Sequence, residues 1–419
     1  MSQVAILNNE KQLSLNDVKM VTRMSSNRNK KEIFEKTYLQ KEHEKYLKAQ
    51  IFPKKDNWDF TGLKITERQY NVHSFHHYTA KFIPQIPQNI IKTYSKRGDI
   101  IFDPFLGSGT TIVEGKLLGH PSYGVEINPL SIKIAESKVN MINFEELNNF
   151  IKWLSDKIKK PEEKIEDVSL FKGSEQWFRN DVRFAIHDIL EEIKELDKNT
   201  KNFIEVGLSS HLKGVSNAMM HRTLPTLPKS SVYIDRKHYD REINNETREL
   251  NVYSRVLAKL KRMKTALEYL HLHDGNTPAV PILGDSRKLC EYLNNENVEE
   301  INTIVTSPPY WNAQNYQELH SLSIKLFKLK EPDLGEIGRD KEAYMKDMEK
   351  VINQLAQITK GTFAFVIGED TNGDKFHEQL FDMILSQGFN EHKSIRRELS
   401  NQVGFTKSIS HEWISIFKK

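Results

Sequence analysis

The sequence predicts an α/β fold in which strands and helices alternate in two blocks around a mostly helical inserted region. Three observations predict it. Short apolar runs of strand length recur between helical patterns, turns rich in glycine or proline follow those runs, and the last two runs read as a hairpin.

The elements follow in chain order. Residues 1–60 are polar and lysine-rich, with one helical stretch over Lys30–Gln50 that places Phe34 and Tyr38 on one side. This N-terminal arm reads either as a solvated helix packed on the core or as a contact for nucleic acid. From Gly98, GDIIFDPF is a buried strand, GSGTTIVEGKLLG a loop entering a helix, and PSYGVEINP a second strand. From Ala279, AVPILGDS, INTIVTSPPYW and GTFAFVIGED supply three more strands, with a helix over Lys341–Gln357. HKSIRREL and HEWISIFK then suit an antiparallel hairpin at a sheet edge. The segment from Met141 to Gly275 fits no strand–helix alternation and is too long for a loop inside a compact domain. The expected organisation is therefore an arm over 1–60, a catalytic unit over 61–140 and 276–419, and an insert over 141–275.

Composition narrows the classes. With 38% hydrophobic and 28% charged residues the chain can bury a core, which argues against wholesale disorder. No apolar run nears the ~20 residues that cross a bilayer, and the start lacks the pattern of an export signal. No membrane association is expected. The single cysteine, Cys290, excludes an intrachain disulfide and a thiolate zinc site, which fits a reducing cytoplasm. The formal charge of +4 is compatible with a polyanionic partner but says little alone.

Asp103-Pro104-Phe105-Leu106-Gly107-Ser108-Gly109-Thr110-Thr111 lies between a strand and a helix, where a doubly wound sheet binds its ligand. A phosphate-binding loop would need lysine after Gly109, and the dinucleotide fingerprint would need glycine where Ile112 stands. Glu126 ends the next strand, placed to accept both hydroxyls of a ribose. Asp285, in Gly284-Asp285-Ser286, ends the third and suits an adenine amino group. Each acid alone could be a helix cap or a surface group. The ordered set points to an adenosyl ligand without phosphates.

Thr306-Ser307-Pro308-Pro309-Tyr310-Trp311 follows the fourth strand. Two prolines fix φ and make a rigid turn. Rigidity suits an exocyclic base amine, a poor nucleophile whose lone pair is delocalised into the ring. Ser307 Oγ and the Pro308 carbonyl could accept its two N–H groups, drawing the nitrogen toward tetrahedral geometry and aiming its lone pair at a sulfonium methyl. Tyr310 would stack on a base flipped out of the duplex. Trp311 and Tyr316 read equally well as core aromatics.

DPFLGSGTT, then GVEINP and later TSPPYW, resembles the amino-group DNA methyltransferases, the N4-cytosine and N6-adenine class of restriction-modification systems. The segment His73–Pro84, with Lys81 and Phe82, looks like the part that completes the methionine side of the cofactor pocket in that family. The resemblance covers roughly 70–140 and 276–419. It implies a class I methyltransferase sheet of seven strands and S-adenosyl-L-methionine as cofactor. The cofactor-binding set becomes Lys81, Phe82, Asp103, Phe105, Gly107, Ser108, Gly109, Thr110, Thr111, Glu126, Asn128, Asp285 and Ser286. The catalytic set becomes Ser307, Pro308, Pro309 and Tyr310. Serine before Pro-Pro-Tyr goes mostly with N4 of cytosine in this family and aspartate mostly with N6 of adenine. An adenine-N6 enzyme and a tRNA guanine-N2 enzyme are the alternatives, with a protein-glutamine enzyme and a binding subunit without turnover behind them. His73, His76 and His77 have no carboxylate neighbour in sequence, so no metal is expected.

Basic residues accumulate over 201–264, including Lys213, Arg222, Arg236, Lys237, Arg241, Arg255, Lys259 and Arg262. They read either as a solvated surface or as phosphate contacts. On the second reading the insert recognises the target, with Asn217, Arg222, Arg236, Lys237 and Arg241 as the nucleic-acid set. The expected partners are double-stranded DNA and, from the resemblance, a cognate restriction endonuclease or another defence-system component.

Overall fold

A computed structural model describes residues 39–47, 58, 60, 63–78, 81–160, 165–220, 222, 224–227, 251–309, 316–330, 340–370, 376–398 and 409–419. Seven strands form one sheet: β1 Ile101–Asp103, β2 Ser122–Glu126, β3 Ala279–Leu283, β4 Ile301–Thr306, β5 Thr359–Asp370, β6 Asn390–Glu398 and β7 Ile409–Lys418. Their order is β3-β2-β1-β4-β5-β7-β6. The first five run parallel, while β7 pairs antiparallel with both β5 and β6. The seven strands coincide with the seven apolar runs of the sequence, and the closing pair forms the expected antiparallel hairpin.

Eleven helices matter to the argument: α1 Gln85–Tyr94, α2 Thr110–Leu117, α3 Pro129–Val139, α4 Phe144–Lys159, α5 Asn180–Glu192, α6 Lys198–Ser209, α7 Val252–His273, α8 Leu289–Asn295, α9 Ser321–Leu326, α10 Lys341–Ile358 and α11 Phe376–Ser386. Side chains alternate across the sheet, as a strand's period of two requires. Phe102, Ile304, Phe363 and Phe365 join α10 and α11 on one face, while Ile101, Val305, Ala364 and Val366 join α1 on the other. Covering both faces accounts for the continuous apolar character of the central strands.

The chain leaves β1 toward β2 and β3 and returns on the opposite side of β1 to form β4. The sheet therefore reverses its direction of growth between β1 and β4. In an open α/β sheet the crevice for ligand opens at this point, beyond the carboxyl ends of the strands.

The described part of the segment between β2 and β3 is helical. Helices α4 to α7 share one apolar cluster with α2, α3, Val72 and Phe75. In α7, Val252, Val256, Leu260, Met263, Leu267 and Leu270 form the inward stripe. Residues 39–47 are also helical; His43 Nδ1 lies 3.0 Å from Tyr269 Oη, and Tyr46 packs edge-on against Tyr70. Phe34 and Tyr38 lie outside the described residues.

Candidate active site

The glycine loop leaves β1 and enters α2. Gly107 has φ +51° and Gly109 φ +84°, the left-handed region that glycine occupies without strain. A Cβ on Gly109 would also stand 2.9 Å from Ala135 Cβ, so this turn needs glycine for both conformation and space. Leu106 N donates to the Val125 carbonyl at 3.0 Å and Gly109 N to Leu106 at 2.9 Å, which fixes the loop over the end of β2.

Asp103 is the bracket of the site. Its Oδ1 accepts from Thr306 Oγ1 at 2.6 Å and from Phe105 N at 3.0 Å, and its Oδ2 accepts from Thr111 Oγ1 at 2.7 Å. Thr111 Oγ1 also lies 3.1 Å from the Val305 carbonyl. Asp103, Thr111 and Thr306 are all buried. Burial pushes the Asp103 carboxyl up to about 6, against the pull of these three hydrogen bonds. Asp103 and Thr111, read from the sequence as cofactor contacts, thus join β1, α2 and β4 to one another.

Glu126 ends β2. Its Oε2 accepts from Gly107 N at 2.8 Å and its Oε1 from Asn128 N at 2.8 Å. Burial raises it to about 7, opposed by those N–H groups. A carboxylate has about four acceptor positions, so ribose hydroxyls can still be received there. Asn128 caps α3 through its Oδ1, which accepts from Leu130 N at 2.9 Å. Its Nδ2 is buried without a partner, as is the hydroxyl of Ser108.

Asp285 and Ser286 end β3. Asp285 accepts from Arg287 N at 2.9 Å and from Arg287 Nη2 at 2.7 Å, and Arg287 Nη1 reaches Asp347 at 2.8 Å. This acid is shared with a guanidinium that the sequence reading did not consider. Ser286 Oγ donates to the Pro104 carbonyl, tying the end of β3 to the glycine loop. Thr110 is buried at the start of α2, Phe105 packs partly buried against the α10 side of the sheet, and Phe82 lies in the α1 cluster. Lys81 Nζ donates to the His73 carbonyl at 2.9 Å.

Ser307, Pro308 and Pro309 continue directly from β4. The bond from Thr306 to Asp103 sets them beside the glycine loop, at the crevice of the sheet. Pro308 is buried and Ser307 partly exposed. Tyr310 and Trp311 lie outside the described residues, as does the side chain of Tyr316.

Several contributors escaped the sequence reading. Thr306 sat inside the quoted motif, but nothing there marked its hydroxyl as the link to Asp103. Beneath the loop, Glu114 Oε1 accepts from Tyr70 Oη at 2.7 Å and pairs with His73 Nε2 at 2.7 Å, and its Oε2 accepts from Gln88 Nε2 at 2.9 Å. This buried network fastens α2 to the segment around His73. Burial lowers His73 to about 4 despite Glu114. Tyr78 stacks on His320 with centroids 5.5 Å apart and accepts from Ser131 Oγ at 3.0 Å.

Of the expected nucleic-acid set, Arg222 is exposed. Asn217 Nδ2 donates to the Gln176 carbonyl at 3.1 Å, an intrachain use. Arg236, Lys237 and Arg241 lie outside the described residues. Lys259 turns inward to the Ser74 carbonyl at 2.9 Å.

The sequence is similar to those of known proteins. The type II methyltransferase M.MjaII of Methanocaldococcus jannaschii is 25% identical over 452 aligned residues, spanning 84% of each chain. The type II methyltransferase M.MvaI of Kocuria varians is 25% identical over 75% of this chain and 72% of its own. Among solved structures, the rRNA methyltransferase aviRa from Streptomyces viridochromogenes aligns with a TM-score of 0.36 at 8% identity, over 87% of this chain and 96% of that one. Residues 6–137 match the DNA methylase family of N6 and N4 methyltransferases. The chain is similar to the amino-group DNA methyltransferases, whose family model covers its N-terminal third. The match reaches further toward the N-terminus than the segment around 70–140 that carried the resemblance.

The methyl donor of this methyltransferase is S-adenosylmethionine, which supplies an electrophilic methyl on a sulfonium. The residues present fit it. Two glycines without side chains line the loop, Glu126 offers acceptors, and the Asn128 amide and Ser108 hydroxyl are enclosed polar atoms that lack partners. Among the described residues no group of three or more His, Cys, Asp or Glu side chains could hold a metal ion, and no helix is long and apolar enough to cross a membrane.

Proposed function

We propose that this methyltransferase modifies an exocyclic amino group of a base in double-stranded DNA, N4 of cytosine being the preferred target, with the base turned out of the duplex. The observation that carries the reading is the bond between Thr306 and Asp103, which sets the Ser-Pro-Pro turn beside the glycine loop. In this reading Ser307 Oγ and the Pro308 carbonyl accept the two N–H groups of the amine and hold its lone pair toward the sulfonium methyl. The proline rings keep the carbonyl from swinging away. Tyr310 stacks on the extruded base. Glu126 receives the ribose, Asp285 the adenine amine, and Asn128 Nδ2 and Ser108 Oγ donate to the same ligand.

Preference for cytosine rests on serine at 307, by analogy with the family's usual pairing of residue and base. The region 141–275 recognises the target sequence, with Arg222, Arg236, Lys237 and Arg241 at phosphates or base edges and Asn217 shaping that surface. The setting is a cytoplasmic restriction-modification or defence system, in which a cognate endonuclease cuts the same site when it is unmethylated.

Transfer of labelled methyl to duplex DNA, tRNA and protein tests the substrate class, and digestion of the DNA to nucleosides identifies the product. N4-methylcytosine is expected. N6-methyladenine would keep the family and overturn the choice of base, and label in tRNA or protein alone would overturn the DNA reading.

A further inference from the structure

His320 stands at the entry to α9, in the segment that follows the Ser-Pro-Pro turn along the chain. Its ring is held on two sides. Tyr78 stacks on it with the planes 12° apart and the centroids 5.5 Å apart, and His76 meets it edge-on with centroids 5.6 Å apart. Tyr78 also borders the glycine loop, since a Cβ on Gly107 would stand 3.5 Å from its Cε1. The imidazole of His320 thus lies one ring away from that loop.

The brace continues into α6. Burial, then His320, hold His76 well below the ordinary histidine range, so its ring is neutral. His76 Nδ1 lies 2.9 Å from the His77 carbonyl, which only accepts, so Nδ1 carries the proton and Nε2 is the acceptor. Ser209 Oγ therefore donates to His76 Nε2 at 2.9 Å, and Ser323 Oγ donates to Ser209 Oγ at 2.7 Å. Through Ser323 this buried chain pins α9, and His320 with it.

The side chain so fixed has no polar use within the chain. His320 is 8% exposed, its imidazole makes no capping bond to α9, and its Nε2 is buried without a partner. An enclosed polar nitrogen is costly unless a ligand or water meets it. Burial, then His77, lower His320 to about 4, so near pH 7 it offers one donor and one acceptor.

We propose that His320 Nε2 hydrogen-bonds the ring nitrogen beside the exocyclic amine of the extruded base, N3 in cytosine, which makes His320 a specificity-determining contact. This role rests on the reading of the Ser-Pro-Pro turn as the holder of a base amine. His320 follows that turn in the chain, whereas the groups assigned to the methyl donor come from the ends of β1, β2 and β3. A neutral N–H suits a ring nitrogen. A phosphate or carboxylate would call for a charged imidazole, which burial and His77 disfavour.

The test uses the purified full chain, S-adenosylmethionine and duplexes carrying the methylated site mapped from a product DNA, with cytosine or 3-deazacytosine at the target. The analogue replaces N3 by carbon. His320→Phe keeps a ring against Tyr78 and removes both nitrogens. On cytosine it should lower kcat/KM by about tenfold, the scale of a lost hydrogen bond to a buried group. His320→Gln should recover part of that loss through its amide. On 3-deazacytosine the phenylalanine variant and the unaltered chain should be about equal, because the partner is already absent. The same loss on both duplexes would mark His320 as structural support and overturn the proposal, as would no loss on either. His320→Leu repeats the comparison should the phenylalanine variant not fold. If the mapped base is adenine, 1-deazaadenine takes the place of 3-deazacytosine and the same outcomes decide. Absence of any DNA methylation by the unaltered chain would instead overturn the DNA reading.

Discussion

Thr306 Oγ1 donates to Asp103 Oδ1 at 2.6 Å, and this bond joins the glycine loop to the Ser-Pro-Pro turn. Asp103 precedes the glycine loop and Thr306 precedes the Ser-Pro-Pro turn, so one buried carboxylate sets the distance between these loops, which in the proposed reading hold the methyl donor and the base amine. Thr306→Val keeps the shape and removes the donor, leaving an enclosed carboxylate short of a partner. Stability should fall by about 1–3 kcal/mol and turnover by tenfold or more, with Thr306→Ser close to the unaltered protein. Denaturant midpoints and single-turnover rates measure the two effects. A valine variant with full turnover would remove the bond's functional role.

Gly109→Ala should be worse than Gly107→Ala. Both positions have positive φ, but a Cβ at 109 meets Ala135 at 2.9 Å, whereas at 107 it meets Tyr78 at an ordinary 3.5 Å. Strain of this kind costs of the order of 1–3 kcal/mol. Urea unfolding and donor binding of the two variants check the ranking, which would be reversed if the loop tolerated a shift at 109.

Ser307→Ala should leave the donor bound and slow methyl transfer by about 10²-fold or more, the scale of removing a preorganised group from a transition state. Isothermal titration with S-adenosylmethionine, run beside a methyl-transfer assay, separates the two steps. Loss of donor affinity would contradict the role assigned to the hydroxyl.

The raised pKa of Glu126 carries a definite sign. Stability from a group raised to about 7 is fully present below its ordinary value near 4.5 and is lost as pH rises through about 7. His73, His211 and His320, lowered to about 4, act oppositely and lose their contribution as pH falls from 6.5 toward 4. Comparing the unaltered protein with Glu126→Gln cancels the histidines. The difference in thermal midpoint should therefore favour the unaltered protein at pH 5 and shrink or reverse by pH 8. Donor affinity should move the other way, weakening below pH 7 in the unaltered protein as the carboxylate protonates and loses acceptor capacity.

Periodicity and local punctuation made much of the fold legible. Apolar runs ending in Asp103-Pro104, Glu126-Ile127-Asn128, Gly284-Asp285 and Ser307-Pro308-Pro309 marked both the strands and the ends that face the crevice, because a doubly wound sheet presents its ligand there. Hydrogen-bond partners between distant residues were not legible. That Asp103 binds Thr306, that Arg287 links Asp285 to Asp347, and that Glu114 gathers Tyr70, His73 and Gln88 depend on where the sheet and helices bring side chains. Lys259 read only as one of the basic residues over 201–264, and its turn to the Ser74 carbonyl was equally hidden.

The sequence by itself determined the order of the strands along the chain, the two turns and the residue types offered at each, since these follow from local conformation and short-range pattern. Only the tertiary structure decided which groups share a partner and which buried atoms lack one. Those outcomes depend on burial and on contacts across tens to hundreds of residues, which no local pattern encodes.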